Sequence, residues 1–248
     1  MKAMVLAAGL GTRLQPFTQD RPKALVEIGG RTLLEIALSR LRFFGIHEVI
    51  INVHHFADMI VSYLRAKADF GMHIEVSREE VLLDTGGGLK RAAYFFLGDG
   101  SRLNEPFLLH NVDVLSTIDL RRMVQVHADN QVLATLAVQN REASRYLIFD
   151  QQLQLCGRRS EKDHESELAR PSAQPNTLGF CGIHVISPRI FAMMSEGGAF
   201  SIIPCYLRLA ARGEKILAFR ADEYYWRDLG TPEHLLQAAR DLKEKVIL

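Results

Sequence analysis

Residues 4–25 read MVLAAGLGTRLQPFTQDRPKAL, and the order of residue types in this stretch decides the fold. Met4-Val5-Leu6-Ala7-Ala8 is apolar but short. It suits a buried strand, since crossing a bilayer takes roughly 20 residues. Gly9 and Gly11 then allow a tight turn whose backbone N–H groups can approach an anion. Thr12 and Arg13 follow, and a guanidinium there can donate two parallel hydrogen bonds. Pro22 fixes the backbone ahead of a second cation, Lys23. A plain strand-to-helix turn and an ordinary surface lysine describe the same residues. Two phosphate-binding motifs are excluded. The dinucleotide fingerprint needs glycine at 14, where Leu14 stands, and no G-x-x-x-x-G-K-[ST] run occurs.

Outward from this stretch, strand-like and helix-like patterns alternate. Residues 2–8 read as a strand, and 32–44 carry a helical apolar stripe that Gly45 ends. Strands follow at 48–53, 72–77, 106–114 and 132–138, with helices at 57–68, 87–96 and 120–128 between them. Such alternation predicts a mainly parallel sheet covered by helices, with ligands bound beyond the carboxyl ends of its strands. From about 144 the pattern changes to hairpin-like pieces, and 158–176 reads as an exposed polar loop. A strand at 177–186, a helix at 202–212, short strands near 216–219 and 225–228 and a helix at 232–245 complete the chain.

Composition sets the class. The 248 residues are 48% hydrophobic and 24% charged, values of an ordinary globular protein. With 30 basic and 29 acidic residues the net charge is +1, which offers no general attraction to nucleic acid or membrane. Cys156, Cys181 and Cys205 are odd in number and lack metal-ligand spacing, so they read as reduced thiols and the expected location is cytoplasmic. None of the nine histidines forms an H-x-x-x-H pair, which disfavours zinc. Trp226 reads as core.

Three further clusters carry chemistry. Gly86, Gly87 and Gly88 in DTGGG enter a helix, where bare backbone could receive a flat ring or an anion; a loop with Asp84 or Thr85 as N-cap fits equally. In LLHNVDV, Asn111 and Asp113 close an apolar strand, where a carboxylate is costly unless paired or metal-bound. In YYWRDLGT, Asp228 repeats that arrangement, and Thr231 with Pro232 suits the start of the last helix.

Taken together, LAAGLGTRLQPFTQDRPKAL, DTGGG, HNVD and RDLGT resemble the sugar-phosphate nucleotidyltransferases, in that family's order and across nearly the whole chain. The resemblance implies an α/β, Rossmann-like three-layer sandwich with a mainly parallel mixed sheet. It also implies one nucleotidyltransferase domain over 1–248, with a nucleotide-binding half to about 140 and a sugar-binding half beyond. The implied reaction joins a nucleoside triphosphate to a sugar 1-phosphate, giving a nucleotide sugar and pyrophosphate with Mg²⁺. Arg13, Lys23 and Asp113 match the catalytic positions. Ala7, Ala8, Gly9, Gly11, Thr12, Arg13, Lys23 and Gly86 to Gly88 match the nucleotide site. Asn111, Gly182 and Arg145 fall to the sugar phosphate, with Lys162 a weaker candidate, and Asp113 with Asp228 match the metal ligands. Val112 and Ala24 depart from the family's N-G-D and P-K-P, so no sugar identity carries over.

The chemistry is self-consistent. A phosphate monoester is mostly ionised near neutral pH, its second pKa lying near ~6, so it attacks without a general base. The difficulty is bringing two anions together, which cations relieve. A non-catalytic nucleotide-sugar-binding relative is the alternative, disfavoured because Arg13, Lys23, Asp113 and Asp228 are all present. A dehydrogenase would leave those residues idle, and a glycosyltransferase would not need the N-terminal loop.

Overall fold

The computed structural model describes residues 1–98, 104–162 and 165–244. In chain order its strands are β1 (Lys2–Leu6), β2 (Glu27–Ile28), β3 (Arg31–Thr32), β4 (Glu48–Val53), β5 (His73–Arg78), β6 (Phe107–Asn111) and β7 (Val114–Ser116). Then come β8 (Ala134–Gln139), β9 (Arg145–Phe149), β10 (Leu155–Ser160), β11 (Ser166–Leu168), β12 (Asn176–Ile186), β13 (Ile216–Arg220) and β14 (Trp226–Asp228). The α-helices are α1 (Leu33–Phe43), α2 (Ala57–Ala66), α3 (Asp84–Arg91), α4 (Ala93–Leu97), α5 (Leu120–Asn130), α6 (Ile202–Ala211) and α7 (Pro232–Lys243).

Among the described residues the main sheet has ten strands. β5, β4, β1 and β6 lie side by side and parallel, as the alternation predicts. β12 then runs antiparallel to β6, to β8 and to β9, which makes the sheet mixed. One apolar cluster, with Val5, Leu38, Val49, Ile51 and Leu108, packs on one face; another, with Met4, Ile50, Leu109, Phe107 and Tyr206, fills the other. The alternation of side chains along each strand produces this division. β1 is central, with β4 on one side and β6 on the other, so chain crossovers leave it in both directions. That is the switch point at which open parallel sheets hold ligands.

Two expectations need correction. The strand expected over 106–114 breaks after Asn111, because β7 leaves the main sheet to pair with β14. The stretch 158–176 is not all loop. Arg158 and Arg159 pair with Glu167 and Ser166 in a β-hairpin at the sheet's edge, and Arg158 forms an ion pair with Glu167 at 2.7 Å. Elsewhere the local signals hold. Thr32 caps α1 by accepting a hydrogen bond from the Glu35 N–H, and Gly45 takes a left-handed φ of 79° just past the helix. Thr231 accepts from the His234 N–H with Pro232 in the first turn of α7. All three cysteines are free and buried. No described helix is long and apolar enough to cross a membrane.

Burial pushes three histidines down from their ordinary pKa of 6.5: His110 and His127 to about 4, and His184 to about 3. They fold neutral. Below pH 6.5 the unfolded chain takes up protons that the folded chain refuses, so stability is full above that pH and falls as pH drops toward 4. Each histidine contributes up to about 1.4 kcal/mol per pH unit in this window. Thermal melts at pH 7.5, 6 and 5 should show a level Tm and then a steep decline. His184→Gln should make the decline shallower, and a Tm unchanged at pH 5 contradicts the expectation.

Candidate active site

A cleft of about 490 Å³ opens beyond the carboxyl ends of β1 and β6. Ala7, Ala8, Gly9, Gly11, Thr12, Arg13, Lys23, Asn111 and Asp113 all line it. Gly11 is at φ 68°, and a Cβ there would come within 3.0 Å of Thr18, whose hydroxyl donates to the Gly11 carbonyl at 2.9 Å. The turn is therefore closed by its own neighbours. A short 3₁₀ segment at Thr12–Leu14 follows it, burying Leu14 and leaving Arg13 exposed beside the cleft.

The two aspartates meet through the β7–β14 ribbon. Asp228 is the register partner of Val114, and the Leu229 N–H donates to the Asp113 carbonyl at 2.8 Å. Lys23 reaches across to form a short ion pair with Asp113, both side chains being largely buried. The Gly230 N–H donates to Asp228 Oδ1 at 2.5 Å. A Cβ on Gly230 would lie 2.5 Å from Asp228 Oδ1, 3.1 Å from Arg13 Nη2 and 3.4 Å from Lys23 Nζ. One bare backbone position thus borders two cations and a carboxylate. Among the described residues no group of three or more His, Cys, Asp or Glu could hold a metal unaided. A pair of carboxylates is the protein donor set that suits Mg²⁺, which keeps waters and takes substrate phosphates.

Asn111 and Gly182 also meet. Gly182, at φ 72°, sits in the irregular part of β12, and a Cβ there would strike Asn111 Nδ2 at 2.7 Å. Arg145 begins β9 and is exposed, outside the residues that line the cleft; Lys162 lies in a turn of the edge hairpin. Trp226 is half-buried. Its Nε1–H donates to the Cys181 carbonyl, and the Arg141 guanidinium lies 3.8 Å from its ring centre.

The glycine cluster is placed differently from the expectation. α3 starts at Asp84 rather than at the expected 87, so Gly86, Gly87 and Gly88 lie inside the helix rather than at its entrance. The Gly86 and Gly87 N–H groups donate to the Phe200 carbonyl, and no side chain caps the helix. Phe200 covers Gly86, the Gly198 carbonyl covers Gly87, and Glu79 with Asn52 cover Gly88. Asp84 and Thr85 line the cleft in their place.

Asn52 and Glu79 escaped the sequence reading. Asn52 Oδ1 accepts from the Ala7 N–H at 2.9 Å, and its Nδ2 donates to Glu79 Oε1 at 2.7 Å. Glu79 Oε2 accepts from the Leu83 N–H at 2.9 Å. This buried chain ties the end of β1 to the segment before α3. Asn52, set among the apolar residues of EVIINV, was the available signal, since a buried amide has to be hydrogen-bonded.

A cation-lined cleft at the switch point of a parallel sheet, with aspartates delivered by a separate ribbon, is suited to phosphate chemistry. Comparison with known proteins agrees: the chain matches the Nucleotidyl transferase family over residues 2–245 and belongs to it. It is 35% identical to the N-acetylmuramate alpha-1-phosphate uridylyltransferase of Caulobacter vibrioides, covering 98% of this chain and 97% of that one. It is 28% identical to the mannose-1-phosphate guanylyltransferase of Mycobacterium tuberculosis, covering 97% of this chain but 64% of that protein. Among solved structures, HddC from Yersinia pseudotuberculosis complexed with GMP-PN superposes with a TM-score of 0.74 at 20% identity, covering 97% and 99% of the two chains. A UDP-glucose pyrophosphorylase complexed with UDP-glucose gives 0.76 at 19% identity, covering 98% of each. These two likenesses show a shared fold.

Proposed function

We propose that the enzyme transfers a uridylyl group from UTP to a sugar 1-phosphate, with N-acetylmuramate 1-phosphate the first acceptor to test. The observation that carries the transfer is the convergence of Arg13, Lys23, Asp113 and Asp228 around Gly230. The choice of UTP and acceptor rests on the end-to-end match to the Caulobacter uridylyltransferase. A sugar phosphate oxygen attacks the α-phosphorus in line. The new P–O bond forms as the bond to the bridging oxygen breaks, and pyrophosphate leaves with that oxygen's electron pair.

Arg13 and the glycine turn hold the triphosphate, and Lys23 offsets the charge of the approaching phosphates. Asp113 and Asp228 would hold Mg²⁺, which supplies charge neutralisation at the phosphates. Asn111, beside Gly182, orients the sugar, while Arg145 can take part only as a peripheral cation. Gly86 to Gly88 act indirectly, by letting α3 pack closely behind the base.

The test is pyrophosphate release over a grid of nucleoside triphosphates and sugar 1-phosphates. Release should require one pair, stop with EDTA and return with Mg²⁺. Lys23→Ala should lower kcat/KM about 100-fold, comparable to losing one positioned donor. Nucleotide binding without release from any pair would favour the non-catalytic nucleotide-sugar-binding alternative.

A further inference from the structure

Asn52 and Glu79 are almost inaccessible, at 2% and 4% exposure, yet Asn52 lines the cleft. An amide and a carboxyl group inside an apolar sheet are expensive unless their polar atoms are paired. Asn52 is the register partner of Leu6, the last residue of β1, and its Oδ1 takes the next N–H along, that of Ala7. Its Nδ2 donates to Glu79 Oε1, and Glu79 Oε2 takes the Leu83 N–H. Glu79 is itself held: its N–H donates to the Val53 carbonyl, and its carbonyl lies 2.8 Å from His54 Nδ1. α3 rests on this joint through Gly88, where a Cβ would come within 2.7 Å of Glu79 Oε1 and 2.8 Å of Asn52 Nδ2.

The two ends of this relay belong to two walls of the cleft. Ala7 and Ala8 form one, at the end of β1, and Leu82 with Thr85 the other, at the entry to α3. The cations and aspartates meet at Gly230, on the side of the β7–β14 ribbon, whereas Asn52 lies on the β4 side of β1. Phosphates therefore belong at the first end, and the more apolar second end is left for the base. Several backbone donors there are already spent. The Ala7 and Leu83 N–H groups serve the relay, and those of Gly86 and Gly87 serve the Phe200 carbonyl. A base is met here chiefly by the gap between the walls, and three hydrogen bonds set that gap.

We propose that Asn52 and Glu79 are positioning residues that set the fit of the nucleotide base, acting through Ala7 and Leu83. This rests on the reading of the cleft as a nucleoside triphosphate site. The polarity of the relay makes it testable, because a carboxylate accepts at both oxygens and a carboxamide at only one. Glu79→Gln therefore sets an NH₂ group against another donor. Asn52→Asp sets two carboxyl groups face to face. Made together, the two substitutions reverse the middle bond. The new carboxylate at 52 accepts from the Ala7 N–H and from the new amide at 79, whose oxygen keeps the Leu83 N–H. All three bonds return.

Calorimetry without acceptor, using UTP, GTP, CTP and ATP with Mg²⁺, separates the fit of the base from the transfer. Wild type should prefer one base at least tenfold. Asn52→Asp and Glu79→Gln should each weaken that nucleotide at least tenfold. Magnesium pyrophosphate, which reaches only the phosphate end, should bind both within twofold of wild type. The double variant should bind the nucleotide within threefold of wild type. Gly88→Ala, which crowds the relay without altering its donors, should weaken the nucleotide at least threefold, and it serves where a single variant fails to fold. A double variant no better than the weaker single would overturn the proposal. So would pyrophosphate binding lost in step with the nucleotide, or full nucleotide affinity in Gly88→Ala. A preference for a base other than uracil would overturn the choice of UTP and leave the relay's role intact. Wild type that binds no nucleotide would overturn both.

Discussion

Asp113→Asn should lower pyrophosphate release by about a thousandfold or more while leaving the fold in place. The substitution keeps the side chain's shape but removes the charge that Lys23 pairs with and half of the donor pair suited to Mg²⁺. Under the proposed reaction the variant loses metal-assisted neutralisation, a matter of several kcal/mol, and each 1.4 kcal/mol or so is tenfold in rate. Stability should fall by about 2 kcal/mol, because Lys23 loses its counter-charge in a largely buried pair but keeps an amide oxygen to bond. Initial rates should collapse far beyond what the accompanying drop of several degrees in Tm can explain. A variant within tenfold of wild type would remove Asp113 from the reaction centre. Asp228→Asn should fall in parallel, since β14 holds it against the same ribbon.

The largest stability effect should come from Gly87→Ala. A Cβ there would lie 2.5 Å from the Gly198 carbonyl and 3.0 Å from Leu83 Cβ, and a carbonyl cannot rotate aside as a side chain can. Overpacking of this kind costs about 3 kcal/mol, or roughly 6–12 °C in Tm for a chain of this size. Gly9→Ala is the contrast: nothing lies within 4 Å of its would-be Cβ, so Tm should hold while nucleotide affinity changes. Paired melts of the two variants check this, and equal Tm values would show that α3 can shift to make room.

The sequence made the βα alternation legible because period and turn chemistry are local. The boundaries of β4 coincide with the expected strand, and α1, α2 and α6 fall within two residues of theirs. What it hid was long-range. DTGGG looks like an exposed, glycine-rich entry to a helix, and only the packing of Phe200 and Gly198 turns it into a helix interior. The break between β6 and β7 was invisible because its cause is the pairing of β7 with a strand far along the chain. For the site, Arg13 stood out behind a glycine turn, Lys23 behind a proline, and Asn111 and Asp113 at the end of an apolar strand. Asn52 and Glu79 work as a buried relay to Ala7, and nothing local in the sequence marks Glu79 as half of it.

The ribbon of β7 and β14 also fixes when the site can exist. Asp113 is synthesised well before Asp228 and its Leu229 neighbour. A nascent chain that has already formed β1, β4, β5 and β6 still lacks half of its donor pair. The pair of aspartates is thus complete only once β14 has been made and has docked on β7. Polypeptides cut short before Asp228 should be silent, however well their N-terminal sheet has formed.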